Sequence, residues 1–182
     1  MSIGDPAADD FASIVRRTRR EKIVRPQDRL DPIDLDRGDI EKIVPHRGTA
    51  LLLDRITGVS LHSRILVADR MLDPQDRGFD GHFPHAAVYP GVLQVEIIGQ
   101  AALCLAHLIR RSEPQQHADG QSQDVRLMRI NRADFVSEVR PGDTLNVIVN
   151  LFSQQSLTTL AVGQILVGDR IVCAAAIEAI DL

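Results

Sequence analysis

The sequence predicts an α+β domain in which an antiparallel sheet wraps around one long, buried helix. Three observations lead to this prediction. The stretch from Val92 to Ile109 is apolar on nearly all sides, which is typical of a helix inside a domain. Apolar, partly alternating segments before and after it predict strands. The chain has 182 residues, enough for one domain with a substantial core.

Residues 1–35 are predicted to form an N-terminal arm, poorly ordered or folded into a short helix, ahead of a single domain over residues 36–182. The arm contains few apolar residues and carries a run of basic ones between Arg16 and Lys22. A charge run of this kind is usually a solvated face, although it can also contact an acidic partner.

The first elements of the domain are a short helix and two strands. Asp36 suits the N-cap position of a helix whose apolar residues have helical spacing, and Pro45 ends that helix. Apolar, partly alternating segments at residues 50–59 and 65–72 predict the strands. Residues 73–89 are rich in Asp, Gly and Pro, so we expect a loop that leads into the long helix.

The long helix and the segments after it complete the predicted order. Pro90 and Gly91 open the helix, and Arg110 and Arg111 lie at its C-terminus, where cations interact favourably with the helix dipole. A polar linker, expected to be mobile, leads to three strand-forming segments, of which the last is a hairpin that turns at Gly168. The linker covers residues 112–124, and the three segments are 125–135, 144–152 and 157–180.

Composition and charge argue against several classes of protein. The formal charge of −4 disfavours a nucleic-acid partner, because phosphate groups favour a strongly basic surface. Cys104 and Cys173 lie far apart in apolar runs, which predicts buried free thiols in a reducing cytosol rather than a zinc site or a disulfide. We find neither an N-terminal signal pattern nor an apolar run of roughly 18 residues, the length of a membrane span. The expected protein is soluble and cytoplasmic, without nucleic-acid or membrane partners.

His82, Glu96 and Gln100 are the candidate residues for chemistry. His82 lies in the loop before the helix, where its side chain can reach a cavity and act as a general base near neutral pH. Glu96 falls on the second turn of the apolar helix, and Gln100 lies four residues later on the same face. Since apolar surroundings favour the neutral carboxylic acid, Glu96 suits a general acid.

The start of the helix offers a third functional group. The backbone N–H groups after Pro90 have no intrahelical partner and carry the positive end of the helix dipole. They can stabilise negative charge on a substrate carbonyl oxygen, and Gly91 lets a substrate approach the backbone closely. A plainer interpretation stays open, because a lone loop histidine is more often a surface residue and a glutamate within a helix can simply face water.

A series of short motifs follows in one order along the chain: Pro45-His46-Arg47, Leu51-Leu52-Leu53-Asp54-Arg55, Gly81-His82-Phe83-Pro84, Pro90-Gly91-Val92-Leu93, Glu96, Gln100-Ala101-Ala102 and Pro141-Gly142-Asp143. From Asp39 to about Ile180 the chain thereby resembles the FabZ-type 3-hydroxyacyl-acyl-carrier-protein dehydratases. It departs from that family where Gly48-Thr49-Ala50 replaces an aromatic-containing segment. It departs a second time at residues His85 to Tyr89, where it lacks a glycine, a cation and a proline that the family commonly has. These departures suggest a specialised homologue with a reshaped substrate tunnel.

The resemblance implies a hot-dog fold, in which the sheet wraps the central helix, assembled as a homodimer or a trimer of dimers. It places the active site at the dimer interface, where His82 of one protomer pairs with Glu96 of the other. The backbone N–H groups of Gly91 and Phe83 would hold the thioester carbonyl. Gln100 would orient the Glu96 carboxyl. The implied substrate-binding residues are Phe83, Tyr89, Gly91, Val92 and Gln100.

The implied reaction is dehydration of a 3-hydroxyacyl thioester to a trans-2-enoyl thioester, in fatty acid or polyketide biosynthesis. Such an elimination needs only acid–base groups and oriented dipoles, so no metal or diffusible cofactor is expected. Two alternatives stay open: a hot-dog acyl thioesterase, and a non-catalytic hot-dog subunit of a heteromeric dehydratase.

The implied partner is an acyl carrier protein, which presents an acidic helix and a phosphopantetheine-linked substrate. A net acidic enzyme then needs a basic rim for docking, although any one arginine can be an ordinary solvated charge. The candidates are Arg110, Arg111, Arg126, Arg129 and Arg132.

Overall fold

The fold is a seven-stranded antiparallel sheet wrapped around one long helix, as the sequence predicts. The computed structural model describes residues 13–83, 85–112, 125–154 and 158–181. The strands are β1 (Asp31–Asp36), β2 (Arg55–Ser60), β3 (Ile65–Met71), β4 (Val125–Phe135), β5 (Thr144–Gln154), β6 (Thr158–Val167) and β7 (Arg170–Asp181). They lie in the order β1-β2-β3-β5-β6-β7-β4, so β1 and β4 form the two edges. The predicted strand over residues 125–135 and the predicted hairpin at Gly168 are both confirmed.

The long helix, Gly91–Ser112, is called the central helix and lies against the inner face of the sheet. Ile97, Ile98 and Leu105 are completely buried, which explains why the segment is apolar on most sides. The helix approaches β6 closely at Gly163, since a Cβ atom built there would lie 2.3 Å from Ile98 Cγ2. A glycine at this position is what allows helix and sheet to pack at this distance.

The central helix is also long and apolar enough to cross a membrane by length and composition alone, so the expectation that no apolar stretch reaches the length of a membrane span is wrong. In this protein, however, 61% of its most apolar window is buried against the rest of the chain. The core helix of a soluble protein has the same properties.

A short helix, Arg37–Ile43, precedes β2 and confirms the predicted cap, because the Asp36 carboxylate accepts a hydrogen bond from Asp39 N–H at 3.0 Å. The predicted strand over residues 50–59 begins five residues late, at Arg55. Side chains explain the difference, since the Arg37 guanidinium donates to three carbonyl oxygens of the preceding segment, those of Gly48, Leu51 and Leu53. Because these carbonyl oxygens accept hydrogen bonds from Arg37, they do not need donors from a neighbouring strand.

The end of the predicted arm differs from the expectation in that residues 31–36 form the edge strand β1. Residues 13–17 are helical, and the chain that follows packs on the outer face of the sheet, opposite the central helix. The side chain of Gln164 in β6 is completely buried and binds this segment by accepting from Ile23 N–H at 2.8 Å and donating to the Thr18 and Glu21 carbonyls. Residues 1–12 of the predicted arm lie outside the described residues.

The two cysteines are free and buried, which confirms the expectation from their apolar surroundings. Burial raises the pKa of both the Cys104 and the Cys173 thiol to about 12. The segment expected to be a mobile linker falls almost wholly on residues 113–124, outside the described residues.

Candidate active site

Glu96 lies on the second turn of the central helix and faces an open groove rather than the core. Its neighbours Ile97 and Ile98 are completely buried, whereas 42% of the Glu96 side chain is exposed. The expectation that this carboxyl is buried is therefore wrong for the isolated chain. The sheet covers the helix face that carries Ile97 and Ile98, and it leaves the Glu96 face open.

Gln100 connects Glu96 to the segment before β2. Its Nε2 donates to Glu96 Oε1 at 2.9 Å and to the Ala50 carbonyl at 2.8 Å, while its Oε1 accepts from Leu52 N–H at 2.8 Å. The side chain is completely buried, so little solvent competes for these bonds. Gln100 consequently holds both a carboxyl oxygen and the adjacent backbone in one orientation.

His46 is the residue of this site that the sequence analysis did not select. Its Nε2 lies 3.3 Å from Glu96 Oε1, although the two residues are separated by the whole of β2, β3 and the following loop. The sequence contained one signal, the Pro45-His46-Arg47 motif, but no spacing argument connects that motif to the helix. Only the folded chain brings the imidazole and the carboxyl together.

The groove at Glu96 runs along the central helix and ends at Arg110. At 1.5 Å per residue, the distance between these two positions along the helix axis is about 21 Å. Apart from His46 and these two charged residues, the lining is mainly small or apolar: Val95, Gly99, Gln100, Ala102, Leu103 and Ala106 before the helix end, with Leu127, Thr159, Ala161, Ile177 and Ala179 from the sheet. Such a lining can contact an apolar ligand, with Glu96 and His46 near its polar end.

His82 lies in the loop before the central helix, with its Nδ1 2.7 Å from the Val88 carbonyl oxygen. A carbonyl oxygen only accepts hydrogen bonds, so the contact favours the tautomer with the proton on Nδ1. In the neutral ring Nε2 is then the free acceptor, which is the state a general base requires. Among the described residues of one chain, no hydrogen bond or ion pair joins His82 to Glu96.

The start of the central helix leaves backbone donors for a ligand. The N–H groups of Leu93 and Gln94 both donate to the Pro90 carbonyl, at 3.1 and 3.3 Å, so those of Gly91 and Val92 lie ahead of the first helical bonds. We expected Gly91 to admit the substrate, but the Phe135 ring occupies this space, since a Cβ at Gly91 would lie 2.7 Å from it.

Three other predicted substrate contacts lie in different environments. Val92 and Phe83 are exposed, at 74% and 59%, and Phe83 has a left-handed backbone with a φ of 60°. Tyr89, by contrast, is buried in the core against the Phe79 ring, and desolvation raises the pKa of its hydroxyl to about 12. Tyr89 therefore does not line the groove of this chain, contrary to the expectation.

The predicted docking arginines do not form one surface. Arg110 lies at the end of the groove and Arg111 is exposed beside it. Arg129 and Arg132 belong to β4 and lie on the outer face of the sheet. The Arg129 guanidinium lies 3.6 Å from the Glu178 carboxylate, and Arg132 pairs with Asp134. The helix end and the outer face of β4 are thus two separate basic regions.

A family model described as a FabA-like domain matches residues 44–176. The chain belongs to this FabA-like family. Among its relatives, the 3-hydroxyacyl-acyl-carrier-protein dehydratase FabZ of Koribacter versatilis is 36% identical over 146 residues, which cover 79% of this chain and 87% of the relative. FabZ of Sulfurimonas denitrificans is 33% identical over 141 residues, covering 78% and 93%. The resemblance that the motifs suggested is confirmed.

Solved structures agree with this FabA-like assignment at the level of the fold. The dehydratase heterocomplex ApeI:P from Xenorhabdus doucetiae superposes with a TM-score of 0.63 and 13% identity, covering 85% of this chain and 93% of that one. A phenylacetic acid degradation-related protein from Ralstonia eutropha gives a TM-score of 0.53 at 15% identity, covering 69% of this chain and 82% of that one. The predicted hot-dog fold is confirmed.

The FabA-like match begins at Val44 and includes every candidate residue of the site, from His46 through His82 to Gln100. The match is preceded by β1 and by residues 13–30, here called the outer segment, which pack on the outer face of the sheet. Within the described part of the chain, no group of three or more His, Cys, Asp or Glu side chains is close enough to hold a metal ion.

Proposed function

We propose that this chain is a 3-hydroxyacyl-acyl-carrier-protein dehydratase of fatty acid or polyketide biosynthesis. It would remove water from a 3-hydroxyacyl thioester and leave the trans-2-enoyl thioester. The observation that carries the proposal is the Glu96 carboxyl, held by the buried Gln100 amide at the head of an apolar groove. The dehydratase names of relatives at 33–36% identity support the same reaction.

The chemistry follows from the two candidate groups. His82 Nε2 removes a proton from C2 of the acyl chain, and the electron pair moves to form the C2–C3 double bond. Glu96, as the neutral acid, gives its proton to the departing 3-hydroxyl, which leaves as water. Negative charge that develops on the thioester oxygen is stabilised by the Gly91 N–H, with Phe83 N–H as a second donor. One such donor contributes roughly a hundredfold in rate.

We further propose that the site is shared between two protomers, either in a homodimer or in a trimer of dimers. Within one chain His82 does not contact Glu96, and the Glu96 groove is open. Among the described residues, the edge strand β4 pairs with β7 alone. It exposes Leu127, Met128 and Ile130 at 47–51%, apolar side chains that a second chain would cover. Pairing at this edge would bring the partner's loop over the groove and desolvate Glu96.

The proposed partner is an acyl carrier protein in the cytoplasm. Arg110 and Arg111 are the preferred docking cations, because they lie together at the end of the central helix. Arg129 and Arg132 belong to β4 rather than to the helix end at the groove, so they are weaker candidates. Replacing Arg111 by Glu should raise KM for the carrier-bound substrate and leave KM for a short synthetic thioester unchanged.

The function is tested by incubating the protein with carrier-bound 3-hydroxyacyl substrates of graded chain length and measuring the products by mass spectrometry. Loss of one water supports dehydration. Release of free thiol with the hydroxyl intact would indicate a thioesterase instead. A protein that is inert alone but forms a stable heterodimer would indicate a non-catalytic subunit.

The residue roles are tested by His82→Ala and Glu96→Gln, each expected to lower kcat by about 10²- to 10⁴-fold. His85→Ala is the matched control, since His85 is an exposed histidine of the same loop and should keep nearly full activity. Full activity of His82→Ala would refute the role of this histidine as the base.

A further inference from the structure

His46 is held rigidly beside the groove by its own segment. Pro45 ends the short helix, and the Arg47 guanidinium donates to the carbonyls of Val44 and His46, each at 2.7 Å. Only 25% of the His46 side chain is exposed. These bonds hold the main chain around His46, and the imidazole Nε2 lies 3.3 Å from Glu96 Oε1, slightly beyond the usual range for a hydrogen bond between nitrogen and oxygen.

We propose that His46 is a positioning residue that, together with Gln100, holds Glu96 Oε1 so that Oε2 carries the catalytic proton. The inference rests on the dehydratase function proposed above and adds a residue to its site. His46 would act on the substrate only through Glu96. The 3.3 Å separation would shorten when substrate or a second chain closes the groove, as hydrogen bonds of open active sites commonly do.

The environment of the imidazole determines which nitrogen carries the proton. His46 Nδ1 is buried and has no hydrogen-bond partner. A proton on Nδ1 would therefore be a buried donor without an acceptor, and it would leave the lone pair of Nε2 facing a carboxyl oxygen. When Nε2 carries the proton, it no longer directs a lone pair at the carboxyl oxygen, and Nδ1 is an unpaired acceptor instead of an unpaired donor. The contacts thus favour an N–H donor directed at Glu96.

Two side-chain nitrogens near one oxygen distinguish the two oxygens of the carboxyl group. Gln100 Nε2 donates to Oε1 at 2.9 Å, and His46 Nε2 approaches the same atom. In a neutral carboxylic acid the carbonyl oxygen accepts hydrogen bonds and the other oxygen carries the hydrogen. Fixing Oε1 as the acceptor consequently leaves Oε2 as the proton donor.

The test compares His46→Gln with His46→Asn, two amides that differ by one methylene. The amide nitrogen of glutamine reaches about as far as imidazole Nε2, whereas that of asparagine reaches only about as far as Nδ1. We expect His46→Asn to lower kcat about tenfold, which corresponds to roughly one hydrogen bond, with KM within about twofold. His46→Gln should retain kcat within about threefold, and His62→Gln, at an exposed histidine, should match the unaltered protein.

A second comparison shows whether His46 acts through Glu96. In the Glu96→Gln background, His46→Asn should change the residual rate by less than about twofold, because the carboxyl that it positions is gone. Circular dichroism melts of each variant verify that it is folded. An equal loss in both backgrounds would overturn the inference, as would equal activities of His46→Gln and His46→Asn.

The inference and the proposed function fail in distinguishable ways. If the unaltered protein dehydrates its substrate and His46→Asn is folded and fully active, the positioning role is overturned and the dehydratase function stands. If the unaltered protein yields no enoyl product from any 3-hydroxyacyl substrate, both are overturned together.

Discussion

Replacing Gln100 by methionine should destabilise the protein because it removes three hydrogen bonds at once. Methionine has nearly the same length and no amide, so the volume is kept while the partners at Leu52, Ala50 and Glu96 are lost. Glu96 is half-exposed and Ala50 is exposed, so water can replace two of the bonds. Leu52 is buried, and its N–H stays without an acceptor. One buried unpaired N–H costs about 1–3 kcal/mol, and each of the two bonds that water replaces costs less. We therefore expect the free energy of unfolding to fall by about 2–3 kcal/mol.

Gln94 provides a matched control on the same helix. It is also buried, but its single hydrogen bond, to the Tyr89 carbonyl, is 3.4 Å long, and its Oε1 has no partner. Gln94→Met therefore removes one weak hydrogen bond and also removes a buried oxygen that has no donor. The change in unfolding free energy should stay within about 0.5 kcal/mol. The two substitutions make the same chemical change and differ only in the bonds present.

Urea unfolding followed by circular dichroism measures both variants. The chain has no tryptophan and one tyrosine, so fluorescence is a weak probe. Protein concentration must be identical throughout, because an oligomer's apparent stability depends on it. Equal destabilisation by Gln100→Met and Gln94→Met would refute the reasoning, as would a Gln100→Met variant as stable as the unaltered protein.

Three further predictions concern the core and the loop before the central helix. Gly163→Ala should destabilise by about 1–3 kcal/mol, because its Cβ would meet Ile98 Cγ2. Ile98→Ala removes that methyl group, so in urea titrations it should cost less free energy of unfolding in the Gly163→Ala background than alone; additive losses would contradict this. Asp76→Asn should cost about 1–2 kcal/mol by weakening the ion pair with the largely buried Arg70, whereas Asp73→Asn, at an exposed position, should be neutral; equal melting temperatures would argue against it. Because burial raises the pKa of the Cys104 and Cys173 thiols to about 12, the native state keeps both protonated, and their contribution to stability should be complete below about pH 9 and decline as pH rises towards 12. At pH 8 a disulfide reagent such as DTNB should label neither thiol until urea unfolds the chain, so rapid labelling of the native protein would contradict their burial.

The sequence predicts most of the fold because the decisive patterns are local. The central helix was expected over residues 92–109 and extends over Gly91–Ser112, since continuous apolarity and a Pro-Gly start suffice to place it. β1 was missed because its six residues, from Asp31 to Asp36, include three aspartates and a proline. Edge strands tolerate such residues, and only pairing with β2 identifies this one.

The site was predicted only in part because its remaining contacts join distant segments. His82, Glu96 and Gln100 lie close together in the sequence, where loop and helix periodicity could select them. The contact between His46 and Glu96 depends on how the sheet folds around the helix, which no local pattern encodes. The exposure of Glu96 in one chain was likewise missed, since apolar neighbours in sequence do not show which helix face the sheet leaves open.

The outer segment has a consequence for the alignment of β6 with its neighbouring strands. Residues 161–166 of β6 are all buried. The inner face of the strand packs against the central helix, and its outer face lies under residues 13–30. A strand that is apolar on both faces can slip by one residue without exposing any apolar group, so hydrophobicity alone specifies its register weakly. Gly163 and Gln164 remove this ambiguity, because only a glycine fits beneath Ile98 and only an amide can bind the backbone of the outer segment. These two consecutive residues lie on opposite faces of the sheet and fix the register of β6 between β5 and β7.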